Sequence, residues 1–221
     1  MTVKGMLTPG ELEQKVKADQ IDTVLVVFTD HYGRFMGKRF DADFFLESIT
    51  KDGTHGCTYL LTVDMEMDVI EGYQYANWKQ GYGDFHMVPD MDTLRLVSWH
   101  EKTAMVICDL EGDVDHLPVA QAPRSILRAQ IERAKKSGFS VMSASELEYY
   151  LFETSYQEAV EGAYHNLKPA GAYIEDYHIF QGSRWEGYHG SARRHLRDSG
   201  VPVENTKGEA GVGQHELNVR Y

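Results

Sequence analysis

The stretch Ser143-Ala-Ser-Glu-Leu-Glu-Tyr-Tyr-Leu-Phe152 is an apolar and aromatic run interrupted by two carboxylates. Side chains at i and i+2 of a β-strand share one face and lie about 7 Å apart. Glu146 and Glu148 therefore project together, while Leu147 and Tyr149 take the opposite face. Because carboxylates are rarely placed in such a run unless something neutralises them, the stretch predicts a strand with a cation-binding face.

A second pair of glutamates, Glu209 and Glu216, brackets a glycine-bearing segment, Gly208-Glu-Ala-Gly-Val-Gly-Gln-His-Glu216. Glycines let the chain turn sharply or approach a ligand closely. After them, Glu216 and Asn218 alternate with Leu217, which predicts another strand with one polar face. Four glutamates converging on one place indicate a hard divalent metal, Mg²⁺ or Mn²⁺, that serves chemistry on a phosphate.

The same pattern also has an interpretation that involves no metal. A Glu-x-Glu pair is also common on the solvated face of an edge strand. The metal hypothesis is favoured because both pairs lie beside glycine or aromatic residues and not among other surface charges. His215 alternates away from Glu216 along the strand, so we expect a structural role for it and do not count it as a ligand.

These segments resemble two signatures of the glutamine synthetase family. Residues 146–152 are similar to its Glu-x-Glu-aromatic strand, and residues 208–220 are similar to its Gly-Glu…Gly-Gln-x-Glu segment. Further matching pieces follow in the family's order along nearly the whole chain: Asp30-x-x-Gly33…Gly37-Lys38, Gly83-Asp84…Pro89-Asp90…Thr93-Leu94-Arg95, and Ala122-Pro123-Arg124.

The resemblance implies an ATP-dependent ligase that joins ammonia or an amine to the γ-carboxylate of glutamate through a γ-glutamyl phosphate. Such chemistry needs divalent metals that neutralise the triphosphate. By position, Glu148, Glu209 and Glu216 match the family's first metal site, and Glu146 matches one ligand of the second. Glu204 matches a glutamate that contacts the nucleotide, although a surface charge in a loop would look the same.

The amine site is implied less directly. The family uses an aspartate that reaches into a neighbouring subunit's site to bind and deprotonate ammonium, so the resemblance implies a homo-oligomer with active sites between subunits. Asp64 is the candidate here, with Glu66 and Asp68 as rivals, and the familiar Asp-Gly-Ser-Ser is absent. Branches of the family with changed loops act on larger amines, so the amine stays open.

The chain's 221 residues carry 34 acidic and 22 basic side chains, a net charge of −12. This balance argues against nucleic acid and anionic membranes as partners. No apolar run of about 18 residues predicts a transmembrane helix, and no apolar signal region stands at the N-terminus. Only two cysteines occur, Cys57 and Cys108. A cytoplasmic protein fits these features.

The pattern of elements predicts an α+β fold. A capping box at Thr8–Glu11 begins a helix, residues 23–29 and 34–40 form a hairpin, and residues 58–63 form a strand. A helix over 123–137 carries an apolar stripe expected to face a core. By the resemblance, residues 1–114 form a β-grasp domain and residues 115–221 form the first part of the family's catalytic half-barrel.

The family's remaining active-site segments would lie beyond Tyr221, so we expect the chain to be a C-terminally truncated piece of a longer protein that does not turn over alone. Two other functions stay open. One is a non-catalytic structural or regulatory member of the same fold. The other is a metal hydrolase, which the lack of histidines at ligand spacing makes less attractive.

Overall fold

The computed structural model describes residues 3–220, which divide into two compact units at Val141/Met142. The elements of the first unit are α1 Pro9–Lys17, β1 Thr23–Thr29, β2 Phe35–Asp41, α2 Ala42–Phe44, α3 Thr50–Asp52, β3 Thr54–Cys57, β4 Asp84–Leu96, β5 Thr103–Gly112 and α4 Pro123–Lys136. A π-helical segment, Phe45–Ile49, joins α2 to α3, and a 3-10 helix, Thr58–Leu61, follows β3.

The first unit is built on a mixed five-stranded sheet in the order β2-β1-β5-β4-β3. Strands β1 and β5 pair in parallel at its centre, and the other neighbours pair antiparallel. The predicted hairpin is confirmed, with Thr29 facing Phe35 at its closed end. Its turn is stabilised by the Asp30 carboxylate, which accepts hydrogen bonds from the amides of Tyr32 and Arg34, both at 2.9 Å.

One face of this sheet carries the main core. Phe28 and Phe85 meet edge to face with ring centroids 5.1 Å apart, and Phe45 is fully buried beside them. Helix α1 adds Leu12 to the same core, and its capping box at Thr8 is confirmed. The fold of this unit therefore rests on strand alternation that places every second side chain inside.

Two predictions about this unit were wrong. Residues 58–63 do not form a strand, since Thr58–Leu61 make a 3-10 helix and the amide of Thr62 bonds the carbonyl of Tyr59. Helix α4 is present, but Ile126, Leu127 and Ile131 of its apolar stripe are 47%, 61% and 41% exposed. What anchors α4 is charge, because Arg124 bonds acidic side chains of β4 and β5.

This anchoring bears on the domain boundary. The sequence placed a seam at residue 114/115, whereas contacts group α4 with the first unit and end that unit at Val141. The Arg124 guanidinium bonds Asp90 and Asp109, and Arg128 bonds the same two carboxylates. Helix α4 is thus held to the five-stranded sheet by a two-arginine, two-aspartate network.

The second unit contains a three-stranded antiparallel sheet in the order β6-β8-β7. Of residues 143–152, which the sequence predicts to form a strand, Glu146–Tyr150 are regular. The elements are β6 Glu146–Tyr150, α5 Tyr156–Glu161, α6 Ile179–Gly182, α7 Glu186–Asp198, β7 Val203–Gly208 and β8 Gln214–Val219. In residues 3–220, no helix has the length and apolarity that crossing a membrane requires.

Candidate metal centre

Three of the four predicted ligand glutamates meet on one face of the second sheet. Glu148 of β6 lies directly opposite Glu216 of β8, and Glu146 lies opposite Asn218 one step along the same face. One carboxylate oxygen from each of Glu146, Glu148 and Glu216 lies within 4.8 Å of the others. Strand alternation on β6 and antiparallel register with β8 together produce this cluster.

The three clustered glutamates differ in their exposure to solvent. Glu216 is 4% exposed on the central strand, whereas Glu146 and Glu148 lie on the edge strand and are open to solvent. Gln214 donates to Glu148 at 2.9 Å and so orients that carboxylate. Buried carboxylate oxygens beside exposed ones form a donor set of the kind that Mg²⁺ and Mn²⁺ prefer. The residues therefore fit such an ion.

Glu209, the fourth predicted ligand, is not part of this cluster. It lies in the turn after β7, where Gly213 with φ 77° helps the chain reverse into β8. Its carboxylate forms an ion pair with Lys207 and accepts the amide of Ala210 at 3.1 Å. The hydrogen bond from Lys207, together with that amide, lowers the pKa of Glu209.

Lys207 is the residue that sequence reasoning missed. It lies opposite Glu216 in the β7–β8 ladder, with its ammonium 3.4 Å from that carboxylate, and its Nζ also donates to the carbonyl of Gly208 at 3.0 Å. Burial disfavours its charge, but the bond to Glu209 and the bond to Glu216 outweigh this and raise the pKa of Lys207. Its position two residues before Glu209 was the available signal, since side chains at i and i+2 of an extended chain share a face.

Lys207 thus holds a positive charge beside two carboxylates that the sequence assigned to a metal. The Lys207–Glu216–Glu148 row crosses all three strands. An ammonium and a divalent cation would compete for Glu209 and Glu216, because both are attracted to the same oxygens.

The reverse face of β8 is a buried ring cluster. His215 is 1% exposed, with its ring 4.4 Å from that of His189, and its Nε2 lies 3.8 Å from the fully buried Glu175. The hydroxyl of Tyr149 lies 2.8 Å from His189 Nδ1. His215 therefore points away from the glutamates, as predicted.

Burial controls the charge of these rings. It lowers the pKa of His189 to about 4, with help from neighbouring His215 and Arg193, and it lowers the pKa of His215 against the attraction of Glu175. Burial also raises the pKa of Tyr149 to about 12. The rings behind the candidate metal centre are consequently neutral at pH 7.

Glu204, the predicted nucleotide contact, is exposed on β7. It lines a cavity of about 430 Å³ together with Arg193, Thr206, Lys207 and Tyr177. The three clustered glutamates do not line this cavity. Glu204 therefore lies outside the cluster, although Lys207 both lines this cavity and contacts Glu216.

Asp64, the predicted proton acceptor, lies in the first unit in the loop between Leu61 and β4. Its Oδ1 accepts the amides of Glu66 at 2.9 Å and Asp68 at 3.0 Å, and Arg34 bonds its carbonyl at 3.1 Å. One carboxylate oxygen of Asp64 therefore shapes the loop that carries both of its rivals.

The chain is similar in sequence to proteins whose names describe them as synthetases or ligases. A family model described as glutamine synthetase, catalytic domain, matches residues 120–221. A γ-glutamylethanolamide synthetase of Streptomyces coelicolor is 43% identical over 211 residues, which are 96% of this chain and 46% of that protein. A glutamate–isopropylamine ligase of a Pseudomonas species is 32% identical over 206 residues, which are 93% of this chain and 45% of that protein.

The fold agrees with this result. The solved structure of a GmaS/ADP complex matches 95% of this chain and 44% of its own, with a TM-score of 0.71 at 19% identity. The chain spans about half the length of the curated relatives it matches. The family model and the related sequences agree within that span, and the chain belongs to the glutamine synthetase family.

Proposed function

We propose that this chain is part of an ATP-dependent ligase that joins an amine to the γ-carboxylate of glutamate through a γ-glutamyl phosphate. The observation that carries the proposal is the meeting of Glu146, Glu148 and Glu216 across the β6–β8 ladder. Carboxylates this close repel one another, so a bound divalent cation would stabilise the cluster, and phosphoryl transfer needs such a cation. Family membership makes this reaction the natural use of the site.

In the proposed site, Glu146, Glu148 and Glu216 hold Mg²⁺ or Mn²⁺, and Glu209 joins them once Lys207 has moved away. The bound ion would neutralise the phosphates of ATP and polarise the transferred phosphoryl group. The contribution of the protein is to fix oxygen donors on paired strands, so that little reorganisation is needed. Gln214 orients Glu148 by its 2.9 Å hydrogen bond.

The nucleotide and amine contacts rest on the family resemblance. Glu204 lines a cavity of about 430 Å³, a size that suits a small ligand, and we assign it to the nucleotide. Asp64 keeps its second carboxylate oxygen for the amine, while Oδ1 holds the loop. A site that needs this loop from another subunit requires a homo-oligomer.

The amine is proposed to be larger than ammonia. The two relatives above are named for ethanolamide and isopropylamine, and a glutamate–methylamine ligase of Methyloversatilis universalis is 24% identical over 222 residues. The loop sequence Val63-Asp-Met-Glu-Met67 lacks the family's usual Asp-Gly-Ser-Ser. Both points favour γ-glutamyl amides over glutamine as product.

The finer architecture is also part of the proposal. The mixed sheet with β1 and β5 parallel at its centre suits a β-grasp domain. The antiparallel β6-β8-β7 sheet suits the opening strands of a catalytic half-barrel. On this proposal the domains divide at residue 114/115, with α4 opening the second domain while its arginines bind the first sheet.

Metal binding is the direct test. Mn²⁺ binding to the purified chain, followed by electron paramagnetic resonance, should weaken at least tenfold in Glu148→Gln and Glu216→Gln. The matched control is Glu161→Gln, an exposed glutamate on α5 of the same unit. Equal Mn²⁺ affinity in all four proteins would overturn the metal assignment.

Activity is tested separately. Phosphate release from ATP and glutamate should depend on an added amine, with ethanolamine, isopropylamine, methylamine and ammonium compared. We expect none from the 221-residue chain and amine-dependent release from any longer product of the same reading frame. Release that is indifferent to glutamate would contradict the ligase proposal.

A further inference from the structure

A second group of metal-ligating side chains lies in the first unit, on the sheet face opposite the main core. His86 of β4 lies directly opposite Glu111 of β5. Their neighbours Phe85, Met87 and Leu110 are buried in the core, so alternation turns His86 and Glu111 to the other face. His116, from the turn after β5, joins them, and one ligand atom of each residue lies within 4.8 Å of the others.

The hydrogen bonding of His86 leaves one of its ring nitrogens available to a metal ion. Its Nε2 lies 2.7 Å from the carbonyl oxygen of Asp52. A carbonyl can only accept, so Nε2 must carry a proton, and in the neutral ring Nδ1 then carries the lone pair. That Nδ1 is buried and has no hydrogen-bond partner. A ring fixed by a backbone carbonyl on one nitrogen, with the other nitrogen bare, is the arrangement found in metal-binding histidines.

The local backbone is shaped to allow this. Gly53, with φ 63°, follows the accepting carbonyl, and a Cβ there would lie 2.4 Å from His86 Nε2. At the other end, His116 adopts φ 53°, which a non-glycine residue rarely does. Its amide bonds the carbonyl of Gly112 at 3.0 Å, so the turn brings its side chain back toward β5. Its ring centroid lies 5.9 Å from that of His86.

We propose that His86, Glu111 and His116 bind a transition-metal ion, with Zn²⁺ as the favoured occupant. Two imidazoles and one carboxylate suit zinc, whereas an all-carboxylate site suits Mg²⁺ or Mn²⁺. Tetrahedral zinc needs ligand atoms about 3.3 Å apart. The ligand atoms here all lie within 4.8 Å of one another, and the His116 ring is exposed, so zinc binding would require only side-chain adjustment.

Three protein ligands leave one coordination position for water or an exchangeable group. His55 is not counted as a ligand. Its ring stacks on that of His86 with centroids 5.1 Å apart, and its Nε2 is paired with Asp113 at 3.1 Å. The zinc site is independent of the proposed ligase activity, since it uses no residue of the glutamate cluster.

The test is zinc binding to the purified chain in excess Mg²⁺, measured by equilibrium dialysis and elemental analysis. We expect about one zinc per chain. His116→Asn, which tolerates the positive φ, should weaken binding by more than the roughly 10–100-fold that loss of an outer hydrogen-bond partner costs. His100→Asn, an exposed histidine in the turn before β5, and Glu216→Gln should leave zinc affinity unchanged.

Unchanged zinc affinity in His116→Asn would overturn the proposal, as would loss of binding in Glu216→Gln. A second measurement needs no metal. Long-range ¹⁵N correlation spectra of the metal-free chain should show His86 as the tautomer protonated on Nε2. The Nδ1-protonated tautomer would contradict the assignment, because Nδ1 would then have no lone pair to give.

Discussion

Replacing Lys207 with methionine should separate two roles of Glu209 and Glu216. These carboxylates pair with the lysine in the metal-free protein, and they are proposed to bind the metal ion. Methionine keeps most of the length and volume of the side chain but removes the charge. In the metal-free protein the change leaves Glu209 and Glu216 without their ammonium partner. Their side chains are 19% and 5% exposed, and that of Lys207 is 18% exposed, so these contacts are largely shielded from water.

The magnitude follows from this shielding. Charge-assisted hydrogen bonds contribute about 1.5–3 kcal/mol, and breaking a fully buried ion pair from one side costs about 3–5 kcal/mol. For a partly shielded group we expect a loss of about 2–3 kcal/mol in the free energy of unfolding. In a chain of this length that is a drop of about 4–12 °C in Tm.

Adding a divalent metal should reverse this loss of stability. Lys207 must leave before Glu209 and Glu216 can both bind an ion, so its removal should tighten Mn²⁺ binding at least about tenfold, or about 1.4 kcal/mol. Thermal melts with and without MnCl₂, together with Mn²⁺ titration, measure both quantities. Lys168→Met is the control, since its pair with Glu153 lies on the surface with 72% of the lysine side chain exposed and should matter by less than about 1 kcal/mol.

Two results would refute this reasoning. One is an Mn²⁺ affinity in Lys207→Met that is equal to or weaker than that of the parent chain. The other is a metal-free stability no lower than that of Lys168→Met. Either would mean that Lys207 does not compete with the ion for these carboxylates.

Three other substitutions test the fold. The pKa of His189 is lowered to about 4 in the folded protein, so the unfolded chain binds more protons below pH 6.5. The free energy of unfolding should therefore fall by up to about 3 kcal/mol as the pH is lowered from 7 to 4. His189→Gln should reduce this pH dependence, as measured by urea titrations. Arg124→Met should destabilise the first unit by about 1–2 kcal/mol, and Arg133→Met on the same helix should not. Gly37→Ala, whose Cβ would lie 2.1 Å from a facing carbonyl oxygen, should cost about 3 kcal/mol or more by calorimetry, whereas Gly10→Ala should not.

The part of the site that depends on local geometry could be read from the sequence. Glu146 and Glu148 share a face because strands have a period of two, and the glycines before Glu216 mark a reversal of the chain. That these two segments pair could be expected from their resemblance to one family. Their register, which sets Glu148 against Glu216, then fixes the cluster.

The part that depends on long-range pairing could not be read in the same way. Lys207 meets Glu216 only because β7 and β8 pair in one particular register, and the assignment of Glu209 changed with it. The error at residues 58–63 has a different cause, since a short apolar run fits a strand or a helical turn equally well. On α4, helical periodicity identified an apolar face correctly but could not say what covers it.

The unequal positions of the clustered carboxylates have a mechanical consequence. Glu146 and Glu148 belong to β6, an outer strand with one pairing neighbour, while Glu216 belongs to β8, which is paired on both sides. An ion bound by all three carboxylates would link the edge strand of the sheet to its central strand. The bound ion would then stabilise β6, the strand most prone to fray. Ion binding and the ordering of this edge strand would therefore be thermodynamically coupled.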